Sequence, residues 1–368
     1  MKRILIIKLW ALGDILMATP LLTALLARWP DAQITWVADT QYAGILQDHP
    51  LLHELIAVDT GHWRRLLRQG KLAAWTAEAR RLHSEMRRRE FDTAINFHPE
   101  KWWLRILAAA PVRVGVFASL KPTKIKRLYT LSIAETAGGA AHNTDRYLEV
   151  AEALGCPPAS KAMTIGETAD EAPFWAEFCR EHRLSLDRPV VVLAPFATTE
   201  NRVWESDRLA QIADWLQEEC HASVVLSAGP KESAAARRLA ATMHDKPPVI
   251  AEGLTLRQYV AVLRGADLII CGDSSPMHIA GALGTPYIAL FGPTPTAGRA
   301  PLAGPGIALA KPLPCAPCDQ SGCRNSVFRE CLKLITVADV QAAVLALLPT
   351  VVRKENDKKQ IAEVEESS

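Results

Sequence analysis

Short apolar runs alternate with stretches of helical spacing along most of the chain. Residues 4–7 are four consecutive apolar residues, as in a strand buried on both faces, and residues 14–28 then place apolar side chains at helical spacing. This alternation predicts parallel sheets covered by helices on both faces. The predicted strands span residues 3–9, 33–37, 54–58, 91–97, 189–195, 222–228, 248–251, 267–271 and 286–291, and the predicted helices span 14–28, 72–89, 206–220, 231–243, 256–263 and 275–283.

A change of composition divides this pattern into two halves. Pro157, Pro158, Gly166 and polar residues cluster within residues 155–172, which predicts a linker. We therefore expect an α/β protein of two doubly wound, Rossmann-like domains facing a cleft, over residues 1–165 and 166–349. Residues 350–368 are rich in Lys, Glu and Ser, and we expect them to form a disordered tail.

Composition and charge narrow the class of protein. With 49% hydrophobic and 22% charged residues, the chain is neither fibrous nor disordered as a whole. It has no apolar run of about 18 residues and no signal-peptide pattern, so we expect a cytoplasmic protein. Residues 1–165 carry 22 Lys and Arg against 15 Asp and Glu, whereas residues 166–368 carry 20 against 25. The basic half indicates an anionic partner, such as a phosphorylated substrate or an acidic membrane surface, or else solvated helix faces; no nucleic-acid-binding motif is present.

The segment from Lys8 to Asp14 leaves the first predicted strand and begins the first predicted helix. Gly13 allows the backbone to approach a ligand closely. Asp14 lies at the carboxyl end of the sheet, where it could accept a proton from a hydroxyl group. Aspartate is also a preferred N-cap, and the local pattern by itself favours that role, although the two roles are not exclusive.

Two segments of the second half have the composition of an anion site. In the segment 272–278, Ser275 is the predicted N-cap and Pro276 the first helical residue, so the helix N-terminus would suit a diphosphate. Asp273 could hold the loop or bind a sugar hydroxyl, and His278 could face the phosphates or pack inside. In the loop 198–204, Arg202 could neutralise a diphosphate or could be an ordinary exposed arginine.

Four cysteines fall within 17 residues, at Cys315, Cys318, Cys323 and Cys331. In a cytosolic protein this clustering favours a metal over disulfides, and four thiolates would suit structural zinc or iron. The alternatives are reduced surface thiols or a disulfide formed on oxidation.

At these positions the sequence resembles the glycosyltransferase family 9 heptosyltransferases of lipopolysaccharide core assembly, over roughly residues 1–349. The four-cysteine segment also occurs in many members. The matching segments are residues 4–8 with 12–14, 91–98 with 112–115, 142–148, 229–232, 254–256, and 272–280 with 290–294.

The resemblance implies a GT-B fold and an inverting, metal-independent transfer of heptose from ADP-heptose to a hydroxyl of the lipopolysaccharide core. Asp14 falls on the position of the catalytic base, and Arg202 replaces a lysine that contacts the donor diphosphate. Ser275 replaces a common glycine, and Asn96 and His98 stand where many members have Asp and Gln. We expect the donor to contact Gly13, Thr198, Thr199, Arg202, Glu232, Leu254, Asp273, Ser274, Ser275 and His278, and the acceptor to contact Asn96, His98, Lys101, Arg105 and Arg113. The three basic residues of the acceptor set could receive its anionic Kdo or phosphate groups, or could equally be solvated.

The resemblance implies no catalytic cofactor and leaves open a peripheral contact with the inner face of the inner membrane. Two other functions remain open at this point. The acceptor could be a protein hydroxyl, as for the related autotransporter heptosyltransferases. Alternatively, the chain could be a catalytically silent, metal-bearing binding protein.

Overall fold

The computed structural model describes residues 2–98, 110–117, 126–134, 142–244 and 246–348. The chain forms two compact units, residues 1–168 and 169–368. The predicted boundary was residue 165. Lys101, Arg105 and the predicted tail at 350–368 lie outside the described residues.

The first unit contains one parallel sheet of six strands in the order β3-β2-β1-β4-β5-β6. This is the doubly wound order of a Rossmann fold, and its direction of winding reverses between β1 and β4. The central strand β1 is buried at four of its five residues because helices cover both faces of the sheet. The strands are β1 (Arg3–Ile7), β2 (Gln33–Asp39), β3 (Glu54–Val58), β4 (Thr93–Asn96), β5 (Val112–Phe117) and β6 (Leu131–Ala134).

The second unit repeats this arrangement with the order β9-β8-β7-β10-β11-β12, again all parallel. Its winding reverses between β7 and β10. The predicted Rossmann-like character of both halves is therefore confirmed. The strands are β7 (Val190–Ala194), β8 (Ser223–Ser227), β9 (Val249–Ala251), β10 (Leu268–Gly272), β11 (Tyr287–Phe291) and β12 (Gly306–Ala310).

The helices follow the strands in alternation. In the first unit they are α1 (Leu12–Ala18), α2 (Pro20–Arg28), α3 (Thr40–Ala43), α4 (Thr60–Arg68), α5 (Leu72–Arg88) and α6 (Asn143–Ala153). In the second unit they are α7 (Glu171–Glu181), α8 (Ser206–Glu218), α9 (Ser233–Ala240), α10 (Leu256–Gly265), α11 (Ser275–Leu283), α12 (Thr296–Arg299), α13 (Glu330–Lys333) and α14 over residues 337–348.

The single helix predicted over residues 14–28 is wrong, because the structure forms two helices there. Pro20 begins α2 and has no backbone N–H with which to continue α1. The Thr19 hydroxyl donates a hydrogen bond to the Leu16 carbonyl at 2.7 Å, which helps to end α1. Other elements were not predicted from the sequence: the helices α3, α4, α6, α7, α12, α13 and α14, the strand β5, and the edge strands β6 and β12.

No described helix is both long and apolar enough to span a membrane.

A buried ion cluster joins two helices of the second unit. The Glu171 side chain at the start of α7 is only 2% exposed. It forms ion pairs with two arginines of α10, Arg257 and Arg264, and the Arg264 Nε–Glu171 Oε2 distance is 2.8 Å. Because a buried carboxylate needs charged or hydrogen-bonding partners, this cluster fixes how α7 packs on α10.

A buried histidine couples the stability of the first unit to pH. His49 is buried, its Nε2 lies 2.9 Å from the Thr164 hydroxyl, and its Nδ1 accepts a hydrogen bond from the Leu51 N–H. Burial lowers the pKa of His49 from 6.5 to about 4, partly opposed by the contact with Thr164. The folded protein therefore favours the neutral ring more than the unfolded chain does.

We expect His49 to contribute stability above pH 6.5 and to lose that contribution as the pH falls towards 4. From pH 7.5 to pH 5, the loss should be about 2 kcal/mol of unfolding free energy. Urea unfolding of the wild type and of His49→Gln is measured at both pH values. The contribution of His49 is the amount by which the free energy of unfolding falls more in the wild type than in the variant. Equal pH dependences in the two proteins would contradict the assignment.

Candidate functional site

The first group of functional residues lies where the winding of the first sheet reverses. In doubly wound sheets, ligands bind beyond the carboxyl ends of the strands at this point. Lys8 directly follows β1 and Asp14 lies in the first turn of α1, while Asn96 ends β4 and His98 lies two residues beyond it. The predicted residues of this half that the structure describes therefore lie at the edge of the sheet where a substrate is expected, except Arg113 on β5.

Asp14 lies in the first turn of α1 rather than at its N-cap. The helix begins at Leu12, after Ala11 with φ of 64°, so the N-cap interpretation of Asp14 is wrong. The Asp14 Oδ2 lies 3.2 Å from the Lys8 Nζ, and the Asp14 side chain is 36% exposed. This carboxylate is fixed by a cation and still accessible to a substrate.

Lys8 is a functional candidate that the sequence analysis did not single out. Its side chain is only 8% exposed, and its Nζ lies 5.9 Å from the ring centre of Tyr147 on α6. The Trp36 indole N–H donates a hydrogen bond to the Lys8 carbonyl at 3.0 Å, which fixes the backbone there. The signal in the sequence was a lysine directly after a run of buried apolar residues, six positions before an aspartate.

Asn96 and His98 hold the loops of this edge in place. The His98 Nε2 accepts a hydrogen bond from the Leu9 N–H at 3.1 Å, and its ring packs 4.6 Å from that of Trp10. Asn96 is fully buried: its Oδ1 accepts from the His98 N–H, and its Nδ2 donates to the Tyr129 hydroxyl at 2.8 Å. The side chains of Asn96 and His98, which were predicted to contact the acceptor, therefore make hydrogen bonds within the protein.

The Arg113 side chain is hydrogen-bonded to the backbone of its own unit. Its guanidinium donates hydrogen bonds to the carbonyls of Leu128 and Ala110, at 2.5 and 2.8 Å. The side chain therefore holds the segments on either side of β5, a role that the sequence does not indicate.

The second group lies where the winding of the second sheet reverses, between β7 and β10. Arg202 ends a short 3-10 turn (Glu200–Arg202) after β7, and Asp273 directly follows β10. The Arg202 Nη1 lies 3.3 Å from the Oδ2 of the buried Asp273. Arg202 is thus not an ordinary exposed loop arginine, and its guanidinium is directed to the carboxyl end of the sheet.

Gly272 allows the 3-10 turn that contains Arg202 to lie close to the end of β10. A Cβ at this position would lie 2.9 Å from the Arg202 carbonyl oxygen, so any larger residue would push the turn away. Thr198 is exposed and Thr199 half-buried in the chain that leads into this turn, and the Thr199 carbonyl accepts from the Arg202 N–H.

Helix α11 begins beside this ion pair, and its N-cap lies one residue before the predicted one. Ser274, with extended φ of −153°, is the N-cap, so the prediction of Ser275 as N-cap is wrong. The helix begins at Ser275 and has Pro276 in its first turn, where a missing N–H costs nothing. No side chain caps this end, so its first N–H groups and positive dipole are suited to an anion. His278 is buried in the next part of the helix.

Glu232 and Leu254 border the same edge of the sheet. The Glu232 Oε2 accepts a hydrogen bond from the Gly229 N–H at 2.9 Å and closes the turn before α9. Leu254 is half-buried and immediately precedes Thr255, whose hydroxyl caps α10 by accepting from the Gln258 N–H.

The four clustered cysteines line one cavity of about 270 Å³ in the second unit, together with Asn201, Arg329 and Glu330 among others. However, among the described residues no group of three or more His, Cys, Asp or Glu is arranged to hold a metal ion. Cys315 and Cys318 are exposed, and the Cys323 Sγ accepts from the Arg329 N–H at 3.4 Å. Burial raises the pKa of the Cys331 thiol, which favours its protonated form. The structure therefore does not support the predicted zinc or iron site, and it forms no disulfide between these thiols.

Each unit is thus a doubly wound α/β domain with polar residues at the carboxyl end of its sheet: a carboxylate in the first unit and an uncapped helix N-terminus in the second. A model of glycosyltransferase family 9 (heptosyltransferase) matches residues 79–328. This chain belongs to that family and is a glycosyltransferase of the heptosyltransferase type with a GT-B fold, as the sequence analysis predicted.

Individual relatives agree with this assignment. Lipopolysaccharide heptosyltransferase 3 of Escherichia coli is 27% identical over 346 residues, which cover 92% of this chain and 97% of the relative. The family 9 glycosyltransferase of Veillonella parvula superposes with a TM-score of 0.77 at 22% identity, covering 95% and 97% of the two chains. The E. coli heptosyltransferase WaaC, solved with ADP-2-deoxy-2-fluoro heptose, gives a TM-score of 0.68 at 21% identity and covers 94% and 99%.

Proposed function

We propose that this enzyme transfers heptose from ADP-heptose to a hydroxyl of the lipopolysaccharide core, with inversion at the anomeric carbon. The donor is supported by the related WaaC structure, which holds an ADP-heptose analogue. The acceptor class is supported by the names of the curated relatives, which are lipopolysaccharide heptosyltransferases. The reaction would take place in the cytoplasm.

The observation that carries this proposal is the uncapped N-terminus of α11 beside the Arg202–Asp273 ion pair. ADP departs as an anion, so transfer is faster when fixed positive groups stabilise the developing charge. The first N–H groups of α11 and the Arg202 guanidinium would provide that stabilisation without a metal.

Asp14 would act as the general base of the first unit. Lys8 contacts its Oδ2, whereas Oδ1 has no hydrogen-bond partner among the described residues and remains available to an acceptor hydroxyl. Removing the hydroxyl proton makes the oxygen nucleophilic as the C–O bond to heptose forms. Attack on the side opposite to the departing ADP inverts the anomeric configuration.

Product analysis tests this function directly. Purified enzyme is incubated with ADP-heptose and a Kdo–lipid A or heptosyl–Kdo–lipid A acceptor, and ADP release and the anomeric configuration of the product are measured. We expect ADP release to depend on the acceptor and the configuration to be inverted. Release only with a protein acceptor, or retention of configuration, would contradict the proposal.

Replacing Arg202 by alanine should reduce kcat/KM for ADP-heptose by about 10- to 150-fold, because a charge-assisted contact with a diphosphate contributes roughly 1.5–3 kcal/mol. Arg202→Lys should restore much of the loss, since the cation is retained. Arg238→Ala, at an exposed arginine of α9, is the matched control and should change little. Unchanged kinetics for Arg202→Ala would mean that the guanidinium does not contact the donor.

A further inference from the structure

The short 3-10 turn that contains Arg202 is held by an arginine from a distant part of the second unit. The Arg329 Nη1 donates hydrogen bonds to the carbonyls of Glu200 and Val203, at 3.2 and 2.8 Å. These carbonyls stand at the first residue of the turn and at the residue directly after it. One guanidinium therefore holds both ends of the turn, and Arg202 lies between the two points of attachment.

A second contact joins the same two segments. Asn201, the middle residue of the turn, is only 4% exposed, and its Nδ2 donates a hydrogen bond to the Gln320 carbonyl at 2.8 Å. Both Gln320 and Arg329 belong to the segment that contains the four clustered cysteines, residues 315–331, which we call the cysteine segment. The turn is thus bound to the cysteine segment at its start, in its middle and after its end.

Arg329 itself has an uncommon backbone conformation. Its φ of 58° and ψ of 33° lie in the left-handed region, which residues other than glycine seldom adopt. Such a conformation persists only where the surrounding contacts fix it. Here the Arg329 N–H donates to the Cys323 Sγ at 3.4 Å, while the side chain makes the two carbonyl contacts. An arginine kept in this conformation indicates that the place of its guanidinium matters to the protein.

The placement of the turn decides where the Arg202 guanidinium lies. The Arg202 Nη1 lies 3.3 Å from the Asp273 Oδ2, whereas the Arg202 Nε is buried and has no hydrogen-bond partner within the described residues. A buried N–H without a partner is costly, which indicates that a ligand completes this group. Displacement of the turn would move the guanidinium away from such a ligand, and a misplacement of about 1 Å can lower a reaction rate about a hundredfold.

We propose that Arg329 is a positioning residue for the donor site, because it holds the turn that places Arg202 against the diphosphate of the ADP-sugar. Arg329 itself does not bind the donor and acts only through Arg202. The inference rests on the proposed function, which assigns the donor diphosphate to Arg202 and the N-terminus of α11. It gives the cysteine segment a part in the reaction, since that segment supports the turn through Gln320 and Arg329.

A double-mutant cycle on ADP binding tests this inference with the full chain. ADP is titrated calorimetrically into the wild type, Arg202→Ala, Arg329→Ala and the variant that combines both changes. We expect Arg329→Ala to weaken ADP binding by about three- to tenfold, and by no more than Arg202→Ala does, since its effect passes through that residue. In the Arg202→Ala background, the same change should weaken ADP binding by less than about twofold. Arg329→Lys should keep part of the affinity, because its ammonium group can still donate to a carbonyl.

Arg208 offers a matched control. Its Nη1 also donates to two backbone carbonyls, those of Lys333 and Ile335 at 2.5 and 2.7 Å, but these lie beyond the cysteine segment and not on the turn. Arg208→Ala should lower the urea midpoint of unfolding about as much as Arg329→Ala, yet leave the ADP affinity within about twofold of the wild type. Circular dichroism shows whether each variant is folded, and Arg329→Lys replaces Arg329→Ala in the cycle if the alanine variant is not.

Three results would overturn the inference. Arg329→Ala could weaken ADP binding equally with and without Arg202, it could weaken ADP binding no more than Arg208→Ala does, or it could leave ADP binding unchanged. Each of these would leave the proposed function standing, because the wild type would still bind ADP. A wild-type protein that binds no ADP would instead contradict the proposed function, and this inference with it.

Discussion

Replacing Asp14 by alanine should reduce the rate of heptose transfer by about a hundred- to ten-thousand-fold while the affinity for ADP-heptose stays nearly unchanged. A positioned general base contributes an acceleration of roughly this size. Asp14 fits that role because its carboxylate is held by Lys8 and remains partly exposed at the carboxyl end of the first sheet. Steady-state kinetics of ADP release and a separate donor-binding titration measure the two effects.

A second variant distinguishes a base from an ion-pair partner. If Asp14 only neutralised the buried Lys8, then Asp14→Ala combined with Lys8→Met would recover activity, since both charges are removed together. A base predicts that this double variant stays inactive. Retention of more than about a tenth of wild-type turnover by Asp14→Ala would show that another group accepts the proton.

Replacing Glu171 by alanine should lower the free energy of unfolding of the second unit by about 3–5 kcal/mol. Breaking a buried ion pair from one side leaves uncompensated charge behind, and here two arginines, Arg257 and Arg264, lose their shared carboxylate. Denaturant unfolding followed by circular dichroism measures the change. Glu171→Gln should lower the free energy of unfolding by less, because the amide oxygen can still accept a hydrogen bond.

The same helix offers a matched control. Glu177 pairs with Arg180 on the solvent side of α7, where both side chains are well exposed. Glu177→Ala should therefore cost at most about 1 kcal/mol. If Glu171→Ala and Glu177→Ala lowered the free energy of unfolding by similar amounts, burial would not be the reason that the Glu171 ion pairs stabilise the unit.

The predictions of secondary structure succeeded where the pattern was regular and failed where an element was short or polar. The strand Glu54–Val58 and the helix Ser275–Leu283 were predicted with the bounds that the structure shows. Helix α4 was missed because its arginines conceal the apolar spacing of Trp63 and Leu66. The split at Pro20 was missed because its apolar spacing continues from α1 into α2.

The candidate site was predicted in its residue types but not in its contacts. The sequence motifs indicated Asp14, Arg202 and Asp273, because each stands at the carboxyl end of a strand or in a loop that follows one. They did not indicate that Lys8 would hold Asp14, or that Arg202 would pair with Asp273. The cysteine spacing favoured a metal, yet the four thiols line one cavity without forming, among the described residues, a group that could hold a metal ion.

The sequence by itself determined the alternation of strands and helices, the two-unit architecture and the family, because periodicity and loop motifs depend on residues close together along the chain. Only the tertiary structure decided which distant residues meet. The Leu9–His98 and Arg264–Glu171 contacts join residues 89 and 93 positions apart. Such contacts follow from strand order and helix packing, which bring distant segments to the same edge of a sheet, and no local pattern encodes that order.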